Sequence, residues 1–390
     1  MNNLYDDYKE EKKEQVLYDT NNVSNKNNRK DNFKKMNENK KNLILSIIMI
    51  LVLIGIIVGF IFYTKSNKKN NNSSNKPSVT NPETEENKEE EKKKVTIIDT
   101  DSNTRPYAVM INCHNGALPQ AGLNNAYIVY ELMVEGGITR MMALFKDKEV
   151  NKIGSIRSAR TQYLDYMYEN DAIYVHAGGA ADADRRIRDE RINDVDVDGV
   201  YGIRDTSLNR AWEHKLFTTT ALIKKGATDK GYRQTTDVKS LLKYTTEEID
   251  PTKYNGSSIA NNISIQYSYY RTSNYTYDSA SKTYLRSMNN TANTDLVTGE
   301  QYKVKNILVY GVNYSNYCDH GYCQYQKIDN VGSGEGLYIT NGYSIPITWE
   351  KASKNSRTIY KLKETGKELE LNDGNTYIQI YPNQGKLTIS

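Results

Sequence analysis

The run RPYAVMINCHNGALPQAGLNNAYIVYELMVEGGITRMMALF, Arg105–Phe145, holds three apolar blocks cut apart by turn residues. Tyr107–Ile111 reads as a buried strand, and Ala126–Leu132 and Met141–Phe145 as two more separated by the Gly136-Gly137 turn. Downstream, Thr161–Tyr168 has helical spacing (Tyr163, Leu164, Met167) and Ala172–His176 (AIYVH) reads as a strand that leads into a charged helix ending near Arg191. Thr218 is placed to cap a further helix over Thr220–Lys225, with Gly226 as its stop. Such alternation of strand and helix predicts a mixed α/β domain over residues 95–253.

Beyond Tyr254 the period shifts to two. Ile263, Ile265, Tyr267 and Tyr269 share one strand phase, Tyr275 and Tyr277 oppose Tyr284 and Leu285, and Lys305–Tyr314 makes a long strand. Leu337–Thr340 and Ile345–Trp349 are joined through Asn341-Gly342, a hairpin signal because both residues tolerate positive φ. Residues 254–390 are therefore expected to form a mainly antiparallel, β-rich domain. The expected fold class is α+β.

The flanking sequence speaks to location. LILSIIMILVLIGIIVGFIFY, Leu43–Tyr63, is 21 residues without a charge, and at 1.5 Å per residue spans about 30 Å, the thickness of a bilayer core. Phe62, Tyr63, Thr64 and Lys65 do not resemble a signal-peptidase site, so a retained single-pass anchor is expected. Seven basic residues crowd Lys26–Lys41 against four between 64 and 81, which places the N-terminus in the cytoplasm and the C-terminal domains outside the cell membrane. Residues 1–42 carry eleven Asn and mixed charge, and are expected to be a disordered cytoplasmic segment; 64–94 reads as a disordered linker. The formal charge of +4 sits in these tails, since residues 95–390 hold 34 basic and 34 acidic residues. A neutral ectodomain excludes a nucleic-acid module, which needs a basic excess.

The run Arg105–Phe145, then KIGSIRSAR (Lys152–Arg160), AIYVHAGG (Ala172–Gly179) and VGSGEGLYITNG (Val331–Gly342) resemble the YerB-like family of cell-envelope proteins, mainly from Gram-positive bacteria. The resemblance covers essentially all of 95–390 and implies an envelope location and paired N- and C-terminal domains of unknown function. It supplies no reaction. Members often carry a lipidated cysteine where this chain has an apolar helix, and Tyr127 and Glu213 stand where the family pattern suggests Asp and Pro. Cys113 stands where the family pattern suggests Asn, which argues against a family-wide nucleophile.

Candidate chemistry is concentrated in the first half of the ectodomain. Arg157-Ser158-Ala159-Arg160 precedes a helix, and two guanidiniums three residues apart on one helical turn suit a carboxylate or phosphate; pairing with Glu131, Glu135 or Asp165 is the structural alternative. His176-Ala177-Gly178-Gly179 ends a strand and opens a helix, where free backbone N–H groups meet an anion, although Asp182 and Asp184 are placed to satisfy the same donors. His114, His176 and His214 all fall near the ends of apolar runs, with Asp205 or Glu131 as carboxylates that could orient a general base. Their spacing matches no compact ligand motif, so no metal and no cofactor are expected. Glu131 and Glu135, four apart on a strand, are separated by roughly 13 Å, too far for a glycosidase pair. Ser158 lacks a nucleophile elbow. Cys318 and Cys323 close the short loop CDHGYC and are a disulfide candidate outside the cell. The 32 tyrosines suit a solvated antiparallel sheet as readily as a sugar-binding face.

Two readings follow. In one, the protein binds an envelope component (an anionic glycan, a peptidoglycan fragment or a partner protein) through Arg157, Ser158, Arg160, His176, Gly178, Gly179 and His214. In the other it is an envelope hydrolase or transferase, with His176 or His114 as base, Glu131 or Asp205 orienting it, and the arginines holding substrate.

Overall fold

The computed structural model describes residues 93–390 other than Lys239. The expected cytoplasmic segment, the apolar run Leu43–Tyr63 and nearly all of the linker lie outside the described residues. Among the described residues no helix is long and apolar enough to cross a membrane.

Strand β1 (Tyr107–Asn112) is buried along its whole length. It lies between an antiparallel neighbour, β3 (Thr139–Phe145), and a parallel one, β5 (Ile173–His176). Its alternate residues serve two cores, with Ala108 and Met110 on one face and Tyr107, Val109 and Ile111 on the other. A strand buried on both faces reads as an unbroken apolar run, which is how it announces itself in the sequence. β2 (Ile128–Met133) pairs with β3 as a hairpin through the short 3-10 turn Glu135–Gly137, where Gly136 and Gly137 take φ of 70° and 68°. Next come β4 (Ile153–Gly154), helix α1 (Thr161–Glu169), helix α2 (Ala181–Asp189), β6 (Asp194–Asp196), β7 (Ile203–Arg204), β8 (Leu216–Thr218) and helix α3 (Thr220–Asp229).

The last helix departs from the expected limits. Thr219, not Thr218, caps it by accepting from the Leu222 N–H. It runs through Gly226, where an added Cβ would lie 2.8 Å from Val195 Cγ1, so this glycine lets the helix approach the sheet and does not stop it. Likewise Ile263, Ile265 and Tyr267 are buried, but Tyr269 is 91% exposed because the strand ends at Gln266 and the chain turns. The Asn341-Gly342 turn forms as expected, with φ of 50° and 81°, between Gly332–Thr340 and Tyr343–Lys351.

The molecule is mostly β with few helices. The halves divided at 253/254 in the sequence share one eleven-stranded sheet. Strand Thr376–Pro382 inserts between Asn306–Val312 and β2 and runs parallel to both, so the second half is not purely antiparallel. The described residues belong to one compact unit. One face of the large sheet carries α1 and α2, through Tyr163, Leu164, Met167 and Ala183. The other carries α3 and a six-stranded sheet built from Asn262–Gln266, Thr272–Asp278, Thr283–Met288, Lys386–Ile389 and two short strands.

Candidate functional site

β1 and β5 are parallel neighbours, so their carboxyl ends open on the same edge of the sheet, where ligands of open α/β sheets bind. The segment 155–160 crosses that edge. Ser155 O accepts from Asn112 N (2.9 Å), Arg157 N donates to Met110 O (3.0 Å), Arg157 O accepts from Ala177 N (3.2 Å), and Ala159 N donates to Gly178 O (2.8 Å). Arg157 and Ser158 are thereby fixed between the two strand ends. They lie on extended chain, not on the helical turn expected from their spacing, because α1 starts only after its N-cap, Arg160 (φ −139°, ψ 138°).

Two histidines a hundred positions apart meet at the same edge. His114 follows β1, and His214 closes the 3-10 turn Trp212–His214. Their rings stack at 4.8 Å with 18° between planes. Gly116 lets the loop pack on both rings, since a Cβ there would lie 3.0 Å from His214 Cδ2 and 3.2 Å from His114 Nδ1. Asn112 Oδ1 accepts from the His114 N–H at 3.0 Å, which fixes the amide orientation, so its Nδ2 donates to His214 Nδ1 at 3.0 Å. Gly116 N donates to His114 Nδ1, also at 3.0 Å. Both Nδ1 lone pairs are thus consumed by structural donors, and the neutral rings carry their protons on Nε2. Burial and the adjacent His114 ring hold the His214 imidazole below its usual range, in keeping with a neutral ring.

Arg157 completes the group. It lies within electrostatic reach of His214, Glu213 and Arg140. Among the described residues its half-buried side chain has neither an ion pair nor a hydrogen bond. Trp212, two residues before His214, is 61% exposed and carries the Arg204 guanidinium over its ring at 4.5 Å. The edge therefore presents two imidazole N–H groups, a guanidinium and the Ser158 hydroxyl as donors, with the exposed Glu213 carboxylate within electrostatic reach of both histidines and of Arg157.

The remaining expected residues are committed elsewhere. Arg160 donates from Nε to Glu135 Oε2 at 2.8 Å, and Arg140 Nη2 reaches the same carboxylate at 3.3 Å. Burial would raise the Glu135 carboxyl, but these two arginines hold it down to about 2. Burial also pushes the Arg140 guanidinium down to about 10. Arg160 thus takes the ion-paired alternative.

His176 is no base in this arrangement. Its Nδ1 faces Gly178 O at 2.9 Å and its Nε2 faces Asp194 Oδ2 at 3.3 Å, so both nitrogens are turned to acceptors of the protein itself. The adjoining cleft of about 570 Å³ is lined by Asp184, Asp194 and Asp196 as well as by Arg188 and Arg191. Gly178 N donates to Asp196 Oδ2 at 3.2 Å, and an added Cβ at Gly179 would collide with the Asp184 carboxylate, so the glycine turn faces acids and not an anion.

Asp205 is taken by Lys152 (2.5 Å) and Ser207, whose hydrogen bonds hold it down to about 2. Glu131 is fully buried and paired with Arg286, so it orients no histidine. Burial pushes the Cys113 thiol up to about 12, which makes it inert as a nucleophile. Cys318 and Cys323 are bonded across the hairpin formed by Tyr314–Asp319 and Tyr322–Ile328. Among the described residues no group of three His, Cys, Asp or Glu is arranged to hold a metal ion.

Sequence reasoning missed Asn112, which fixes both histidines, and the exposed Trp212. It also missed Arg271 and Arg286, although Arg286 falls in the inward phase between Tyr284 and Met288, a readable sign of a buried partner.

The chain matches a protein family of unknown function (DUF3048) in both its parts, the N-terminal domain over residues 95–233 and the C-terminal domain over 263–378. It is 31% identical over 293 residues to YerB of Bacillus subtilis (strain 168), named a lipoprotein, an alignment covering 73% of this chain and 84% of that protein. The crystal structure of the Bacillus subtilis YerB protein superposes with a TM-score of 0.62 at 28% identity, over 73% of this chain and 94% of that one. By fold and by sequence, the protein belongs to the YerB-like family, with its paired domains of unknown function.

Proposed function

We propose that this is a membrane-anchored, extracytoplasmic binding protein that takes an anionic group of a cell-envelope component at the edge formed by Arg157, Ser158, His114 and His214. The apolar run Leu43–Tyr63 serves as a single-pass anchor with the N-terminus in the cytoplasm, in keeping with the lipoprotein name of its relative. The observation that carries the binding reading is the tautomer pattern. With each Nδ1 accepting from a fixed donor, the stacked imidazoles offer two Nε2–H groups beside an unpaired guanidinium. Such donors stabilise an oxyanion, and neither imidazole keeps a free lone pair, which weighs against the hydrolase or transferase reading with His114 as its base.

The test is co-sedimentation of the full chain, in detergent, with purified Bacillus cell walls that are intact or stripped of phosphodiester polymers. A charge-assisted hydrogen bond is worth about 1.5–3 kcal/mol, so Arg157→Ala should weaken retention roughly 10- to 100-fold. Its melting temperature should not move, since among the described residues the Arg157 side chain has no partner to lose. Retention of the variant equal to that of the native chain overturns the proposal. Loss of retention on stripped walls alone identifies the anion as phosphate.

A further inference from the structure

Arg271 stands just before the strand Thr272–Asp278 and is 2% exposed. Its Nη2 donates to Cys113 O at 2.8 Å and lies 3.4 Å from Asn115 Oδ1. Its Nε and Nη1 are buried and, among the described residues, have no hydrogen-bond partner. The charged groups within reach are Glu131 and Arg286, and Glu131 is already consumed. The Glu131 carboxylate accepts from Arg286 Nη2 on both oxygens at 3.0 Å, from Thr139 Oγ1 at 2.7 Å and from Ser273 Oγ at 3.0 Å. The nearby Cys113 thiol is neutral. Two guanidiniums and one carboxylate leave this interior cluster with a net charge of +1.

Arginine does not escape burial by losing its proton, so a buried guanidinium needs a counter-charge. Native interiors leave few donors unpaired, and here two belong to one cation. We propose that Arg271 Nε and Nη1 bind a small monovalent anion of the halide class, enclosed between the two sheets beneath the loop 113–117 that carries His114. Valence follows from the charge count: one negative charge neutralises the cluster, whereas a phosphate dianion would replace one uncompensated charge with another. A halide also accepts from donors at any angle, as the fixed guanidinium requires. This site is separate from the exposed edge at Arg157, because Arg271 faces the interior and grips the loop from below.

The experiment is a melting curve of the full chain at constant ionic strength, with chloride or bromide exchanged stepwise for gluconate, an anion too large for an enclosed site. Specific binding gives a saturable rise, roughly 5 °C at a hundred times Kd. Arg271→Met should lose that dependence. A second measurement guards against a variant that does not fold: crystals of the native chain soaked in bromide should show an anomalous peak beside Arg271 Nε and Nη1. Equal melting in chloride and gluconate, or water alone at that position, overturns the proposal.

Discussion

Replacing Glu131 by Gln removes one negative charge from the place where β2 meets Thr283–Met288. Both Glu131 and Arg286 are 0% exposed, and the guanidinium contacts both carboxylate oxygens at 3.0 Å. Gln keeps the volume and one carbonyl oxygen for Thr139 and Ser273, but it turns an NH2 toward Arg286 Nη2. The buried guanidinium is then left without a counter-charge, and a second cation, Arg271, lies within electrostatic reach. Removing one partner of a buried pair costs about 3–5 kcal/mol, a large share of the ~5–15 kcal/mol that holds a typical protein folded. In a chain of this size that corresponds to a fall in Tm on the order of 10 °C. Urea denaturation followed through the buried Trp349 measures it. Glu131→Gln combined with Arg286→Met should recover most of the loss, because deleting both charges also deletes the desolvation that the pair carries, giving a coupling of at least about 2 kcal/mol. A single variant within about 1 kcal/mol of native, or a double variant whose cost is the sum of the singles, would mean that the buried pair does not hold this junction.

Two further predictions rest on local geometry. The Glu135 carboxyl is held near 2 in the fold against about 4.3 in an unfolded chain. Its stabilisation, at most roughly 3 kcal/mol, is therefore present above pH ~4.3 and is lost as pH falls toward 2. The gap in urea midpoint between native and Glu135→Gln should be widest at pH 7 and should shrink below pH 4; a gap independent of pH would exclude the Glu135–Arg160–Arg140 cluster as its origin. Gly342→Ala should cost about 1–2 kcal/mol, because φ is +81° and the new Cβ would sit 3.0 Å from two carbons of the Tyr277 ring. Calorimetry that finds this variant as stable as native would remove the strain argument for that turn.

Much of the fold could be read because strand burial writes directly into sequence. β1 and β3 are buried on both faces and appear as unbroken apolar runs, and Asn341-Gly342 names its own turn. What could not be read depends on contacts remote in the chain. Gly226 looks like a helix stop until Val195 is seen against it. Arg286 shows in its strand phase that it needs a buried acid, but nothing local says that the acid is Glu131, 155 positions earlier. The candidate site divides the same way. The RSAR run locates the edge, yet only the fold assigns Arg160 to Glu135 and, among the described residues, leaves the Arg157 side chain without an ion pair. That His114 and His214 stack, and that Asn112 holds the His214 ring and the His114 backbone, follows from where β1 ends and where the turn Trp212–His214 lands, which no spacing rule encodes.

The two family segments are separable in sequence but not in hydrogen bonding. Thr376–Pro382 pairs with β2 over Ile128–Leu132 and begins with the Thr376 N–H donating to Tyr127 O. Without that strand, β2 would present an edge that is apolar on both faces, the kind of edge that native sheets cover or blunt. The same junction carries Glu131, whose charge is met by Arg286 from the second half. Arg271, also from the second half, holds Cys113 O and so braces the loop that positions His114. The edge that carries Arg157 and His114 is therefore built from residues of the first half but braced by cations of the second, which gives a physical reason for the two segments to occur together.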